Sequence, residues 1–220
     1  VRLGARVLLA ERDRIGGDCT WTGCVPSKSL IRVAKAAHEI RTAQRFGVDA
    51  GSCIVNMTTV RDYVQRKVQE IYEPTSPEAL GREGIEVALG PAAFENARTL
   101  RIGERSVIGR RFLVCTGATP VMPAIAGLEE TPHRTYHNIF DLSQLPASLT
   151  IVGGGPLGME LAQAFQRLGS QVTILSSRLL PHDDPDAAGI FQRVFQREGV
   201  QWLRGRAIAV RQEPHRIVVS

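Results

Sequence analysis

The sequence is short of lysine, cysteine and aromatic residues, and each shortage removes a class of answer. Only three of its 27 basic residues are lysines (Lys28, Lys35 and Lys67), and the arginines are scattered among 22 acidic residues instead of forming a stripe. A net charge of +5 spread in that way, with no aromatic residues interleaved, is not the footprint of a nucleic-acid surface. No stretch approaches the roughly 20 apolar residues of a membrane-spanning helix. Four cysteines in 220 residues are too sparse for a disulfide-stapled secreted scaffold. No second cysteine pair or nearby histidine completes a tetrahedral zinc set, so no metal site is expected. What is left, 43% hydrophobic and 22% charged, is the composition of a globular protein of one or two domains. The chain opens on Val1 instead of Met and stops after the β-branched run Arg216-Ile217-Val218-Val219, so both ends read as cut and a targeting segment upstream would be out of view.

An internal repeat organises what is present. The run from Arg2-Leu3-Gly4 to Ala10-Glu11-Arg12 aligns with Arg167-Leu168-Gly169 to Leu175-Ser176-Ser177; each copy reads as a helix end, a glycine cap and a buried strand. Before the second copy stand the strand Leu149-Thr150-Ile151-Val152, the run Gly153-Gly154-Gly155-Pro156-Leu157-Gly158, and an amphipathic stretch from Met159 to Arg167. Strand, Gly-x-Gly-x-x-Gly, helix, glycine, strand is the pattern of a dinucleotide-binding βαβ unit. Gly153 makes a tight turn, Gly155 lets backbone meet pyrophosphate and Gly158 lets helix pack on strand. The helix start then offers its unpaired N–H groups and positive dipole end to the phosphates. The equivalent glycines of the first copy would precede residue 1, so the first phosphate loop is expected to be missing from this chain.

The residues after each copy differ. Glu11 closes the first strand and can accept from a ribose 2′-hydroxyl. The second ends in Ser176-Ser177-Arg178, hydroxyl and guanidinium donors with no carboxylate, which favours NADPH over NADH; the alternative is that Arg178 pairs with Asp183 or Asp184 on the surface.

Between Glu11 and the next helix lies Gly16-Gly17-Asp18-Cys19-Thr20-Trp21-Thr22-Gly23-Cys24-Val25-Pro26-Ser27-Lys28. Pro26 suits a first helical turn, and Leu30, Ile31, Val33, Ala34, Ala37 and Ile40 recur at helical spacing, so a helix starts just after Cys24. Its positive end, with Lys28 one turn on, favours negative charge on the Cys24 sulfur. Five-residue spacing across a glycine permits a disulfide, and a pair of buried thiols satisfies the same spacing.

This segment resembles the redox-active segment of the class I pyridine nucleotide-disulfide oxidoreductases, the family of dihydrolipoamide dehydrogenase, glutathione reductase and mercuric reductase, with the mercuric-reductase-like branch nearest. The likeness extends through Thr116-Gly117-Ala118-Thr119-Pro120, similar to the family's turn at the FAD site, and through Gly153 to Glu160. It implies a relay in which electrons pass from NAD(P)H through FAD to a Cys19–Cys24 disulfide, with Cys24 as the charge-transfer thiolate and Cys19 attacking the substrate. It also implies an ion pair between Lys28 and Glu160 beside the flavin, and FAD contacts from Glu11, Gly16, Gly17, Thr116, Gly117 and Ala118. The nicotinamide cofactor would fall to Gly153, Gly155, Gly158, Ser176, Ser177 and Arg178. Three residues depart from the pattern: Asp18 replaces a frequent threonine near the pyrophosphate, Trp21-Thr22 replaces Asn-Val or Asn-Tyr, and Pro156 stands where a gating side chain is common.

The expected fold is therefore α/β, with two Rossmann-like three-layer domains, both incomplete: an FAD-binding domain over 1–146 and an NAD(P)-binding domain over 147–220. The expected activity is FAD-dependent NAD(P)H:disulfide or mercuric-ion reduction, cytoplasmic, on a small-molecule disulfide or metal ion, by a homodimer built through a further domain. The rivals are an NAD-using dihydrolipoamide dehydrogenase and a catalytically incompetent nucleotide-binding fragment. Elsewhere, Met57 to Tyr72 reads as a helix with Val60, Tyr63, Val64, Val68 and Ile71 on its core face. Cys53 reads as a loop residue, Cys115 as a buried residue of a strand Arg111–Cys115, and residues 120–146 as an irregular crossing. The five histidines match no motif and read as surface or structural residues.

Overall fold

The computed structural model describes Val1 and residues 3–220; Arg2, which begins the first repeat copy, lies outside the described residues. In chain order the elements are β1 (Val7–Glu11), α1 (Gly17–Trp21), α2 (Cys24–Thr42), α3 (Met57–Tyr72), α4 (Pro77–Arg82), β2 (Ile85–Leu89), β3 (Ala92–Asn96), β4 (Thr99–Ile102), β5 (Arg105–Ile108), β6 (Ser148–Val152), α5 (Pro156–Leu168), β7 (Gln171–Ser176), α6 (Pro185–Glu198), β8 (Gln201–Arg204), β9 (Val210–Glu213) and β10 (Arg216–Val219). They fall into two compact units, Val1–Val25 with Gln65–Thr119, and Pro26–Val64 with Pro120–Ser220.

In the first unit β1 runs parallel to β2, Val7 opposite Ile85 and Glu11 opposite Leu89. A separate antiparallel sheet, β3-β4-β5, follows. Residues 111–115, expected as a buried strand, do not form one: Leu113 is 91% exposed, Val114 is 69% exposed, and Cys115 is exposed. A strand exists through its hydrogen-bonded neighbour, and among the described residues none pairs with this run. Aliphatic content alone carried that expectation.

The second unit contains a parallel three-stranded sheet, β6-β7-β8, with α5 joining the first pair and α6 the second. The helical period of α5 puts Met159, Ala162, Phe165 and Leu168 on one stripe, all at most 1% exposed. That stripe shares a core with Leu30 and Ala34 of α2, Val60 and Val64 of α3, Val172 and Ile174 of β7 and Phe195 of α6. Ile71, expected on the core face of α3, is 54% exposed; in that last turn it is Tyr72 that packs, on Trp21. Residues 120–146 are irregular, and Ala126 makes a parallel bridge to Ala209.

Candidate functional site

The cysteines lie on a compact turn of the first unit. Cys19 is the middle residue of α1 and Cys24 the first of α2, and both are exposed. Gly16, in left-handed conformation at φ 116°, opens the turn; a Cβ there would lie 2.9 Å from Thr20 Cβ and 3.0 Å from Trp21 Nε1. Thr22 N–H donates to the Asp18 carbonyl at 2.9 Å and closes it. Gly23 then folds back: a Cβ on it would lie 2.8 Å from Asp18 O and 3.3 Å from Cys19 Cα. The backbone leading into Cys24 thus rests on the backbone of Cys19, and no side chain fits between them.

Asp18 is held by a backbone amide of the same unit. Its Oδ2 accepts from the Ala118 N–H at 3.1 Å and lies 3.1 Å from where Gly117 would carry a Cβ, so it ties the cysteine turn to the Thr116-Gly117-Ala118 segment. Glu11, at the end of β1, accepts the Asp13 N–H on Oε1 at 2.9 Å. Gly17, at φ 59°, has open space where a Cβ would stand. These residues fit the ribose end of an adenosine cofactor, while the Ala118 N–H is already engaged.

In the second unit Lys28 Nζ donates to both carboxylate oxygens of Glu160, at 2.7 and 2.8 Å. Arg41, in the last turn of α2, donates to the carbonyls of Arg167 and Leu168 at the end of α5, the latter at 3.1 Å. With early turns joined to early turns and last to last, α2 and α5 run in the same direction.

The three motif glycines take different places in the loop. Gly153 takes φ 122°, a Cβ on Gly158 would lie 2.7 Å from Gly153 O, and Gly155 faces open space and caps α5 with no side chain on the helix end. Gly154, which the motif leaves unspecified, is also constrained: a Cβ there would strike the Arg178 carbonyl, and its own carbonyl accepts from Leu180 N at 2.7 Å. The turn carrying Ser177 and Arg178, both exposed, is therefore stitched to the glycine loop. Ser176 is only 8% exposed, and its hydroxyl and carbonyl oxygens both accept from Trp202 Nε1, at 3.2 and 3.1 Å. Among the described residues no ion pair joins Arg178 to Asp183 or Asp184, and no cluster of three metal-ligating side chains occurs.

Asp18 and Trp21 show in the sequence as departures from the family pattern and Gly23 as a glycine directly before the second cysteine, but the contacts they make do not.

The comparisons with known proteins agree with this geometry. The chain is 40% identical over 214 residues to a mercuric reductase of Serratia marcescens, covering 92% of this chain and 46% of that protein. It is 33% identical over 206 residues to dihydrolipoyl dehydrogenase of Bacillus subtilis, covering 90% and 45%. Among solved structures, the HOCl-induced flavoprotein disulfide reductase RclA from Escherichia coli matches with a TM-score of 0.83 at 26% identity, covering 100% of this chain and 48% of that one. The chain spans less than half the length of each of these relatives. The family model described as pyridine nucleotide-disulphide oxidoreductase matches residues 1–220, and the chain belongs to that family.

Proposed function

We propose that the chain carries the FAD- and NADPH-binding parts of a disulfide or mercuric-ion oxidoreductase whose Cys19 and Cys24 cycle between disulfide and dithiol. The observation that carries this reading is the cysteine turn, where Gly23 lays the approach to Cys24 directly on Cys19 and both residues are exposed. The reading assigns residues 1–146 to FAD and 147–220 to NADPH, with NADH as the weaker ligand. By the same family likeness the protein is cytoplasmic and homodimeric.

FAD, when bound, would supply two-electron exchange between the nicotinamide and the sulfur pair. Glu11 would hold its ribose, with Gly16, Gly17 and the Thr116-Gly117-Ala118 segment alongside. Gly153, Gly155 and Gly158 would admit the nicotinamide dinucleotide's pyrophosphate to the α5 start, and Ser177 and Arg178 would meet its 2′-phosphate. Ser176, bound to Trp202, would shape that turn more than touch the ligand. Cys24 sits at the positive end of α2, where a thiolate is stabilised; Lys28, one turn on, is neutralised by Glu160. In a disulfide substrate, the Cys19 thiolate attacks one sulfur and expels the other as a thiolate. Cys24 then attacks the Cys19 sulfur, releasing the second thiolate and closing the protein disulfide. A soft metal ion would instead be held by both thiolates.

The test is a thiol count coupled to NADPH oxidation in the FAD-loaded protein. One NADPH should yield two new thiols, located at Cys19 and Cys24 by alkylation and mass spectrometry, with a long-wavelength absorption band that Cys24→Ala abolishes. NADPH oxidation with no new thiol at either cysteine would refute the reading.

A further inference from the structure

The turn that carries Cys19 is held by side chains that the electron relay does not use. α1 has five residues, far below the length at which a helix persists unaided, so its shape is set by its attachments. Trp21 supplies most of them. Its indole N–H donates to Ile15 O at 2.8 Å, across the glycine that opens the turn. The Arg14 guanidinium carbon lies 4.0 Å from its ring centroid, a cation–π contact, and Tyr72 of α3 packs on it at 4.9 Å with the planes tilted by 51°. The indole also backs onto Gly16, so the start of the turn and its last helical residue are fastened to one ring.

We propose that Trp21 is a positioning residue for Cys19: the ring, held by Arg14, Ile15 and Tyr72, fixes the turn and thereby the effective concentration of the Cys19 thiol at Cys24. This rests on the reading of the two cysteines as a redox pair. When one glutathione disulfide oxidises the pair, the protein gains a disulfide and two glutathione thiols are released, with electrons and protons balanced. The equilibrium constant of that exchange measures the effective concentration directly. Loosening the turn must lower it.

The experiment equilibrates the purified chain with glutathione buffers and quantifies the Cys19–Cys24 disulfide by alkylation and mass spectrometry. Amide hydrogen exchange at Thr20 and Thr22 is followed in parallel. Trp21→Ala should lower the equilibrium constant about 10-fold, which is about 30 mV towards a more oxidising couple, and should speed exchange at Thr20 and Thr22 about 10-fold while leaving β1 and β2 unchanged. Trp21→Phe, which keeps a ring for Arg14 and Tyr72 but loses the indole bond, should lower the constant only about threefold. An unchanged constant in a folded Trp21→Ala protein overturns the proposal. If the wild-type chain forms no Cys19–Cys24 disulfide at any ratio, the redox-pair reading fails instead, and exchange alone decides whether Trp21 holds the turn; unchanged exchange rejects it. Should Trp21→Ala not fold, Trp21→Phe and Arg14→Gln carry the test with shifts of about threefold, and no shift in either rejects the proposal.

Discussion

Lys28 is 60% exposed and Glu160 35%, so the bidentate pair between them is screened by water and contributes under about 1 kcal/mol to stability. Under the proposed function its value lies in fixing the Lys28 side chain one turn from Cys24 along α2. Glu160→Gln should therefore leave the urea midpoint almost unmoved while slowing reduction of the cysteine pair by NADPH about 10-fold in stopped-flow; a large stability loss with unchanged reduction would contradict this. Gly23→Ala tests the cysteine turn. Its new methyl group would meet Asp18 O at 2.8 Å, so the approach to Cys24 must lift off Cys19, and thiol titration should find the pair mostly reduced in buffers that oxidise the wild type. Lys28 and Glu160 could be paired from sequence because a family pattern related positions 132 residues apart. Asp18 could not be placed, since a carboxylate among glycines gives no sign that its partner is an amide 100 residues away.

At the scale of elements, α5 unites the glycine loop with the core. Phe165 is fully buried, and Phe165→Ala should cost about 3–5 kcal/mol in urea unfolding. Arg178 sits on a turn bonded to the loop through Gly154 and Leu180. Losing a charge-assisted contact to the 2′-phosphate is worth about 1.5–3 kcal/mol, so Arg178→Ala should weaken NADPH at least about 10-fold in calorimetric titration and leave NADH unchanged; equal losses would remove the NADPH assignment. Helix α3 was legible to its ends, Met57 and Tyr72, because a long apolar stripe at helical period has few alternatives. The run from Arg111 to Cys115 was not, because a strand depends on a neighbour that composition does not reveal.

For the whole molecule, the division into two compact units bears on how ligands act. Binding stabilises the elements that contact the ligand, by about 2.7 kcal/mol at 100-fold excess over Kd. An adenosine 2′-phosphate ligand should therefore protect amides of β6, β7 and the start of α5 from hydrogen exchange while leaving those of β1 to β5 unchanged. Protection confined to β1 and β2 would reverse the assignment of 147–220 to NADPH. The repeat strands β1 and β7 each pair in parallel with a later strand, β2 and β8, though the compact units do not follow the repeat's linear boundary, since Pro26–Val64 groups with the later residues.

The sequence by itself determined the βαβ unit and helices α2, α3 and α5, because glycine spacing, helical period and capping act over a few residues and are written in order along the chain. Only the tertiary structure decided that Asp18 clasps Ala118, that Gly154 is pinned beneath Arg178, that Trp21 meets Tyr72 and that Cys115 is exposed. Those outcomes depend on which distant group fills each donor, acceptor or void, and packing sets that choice.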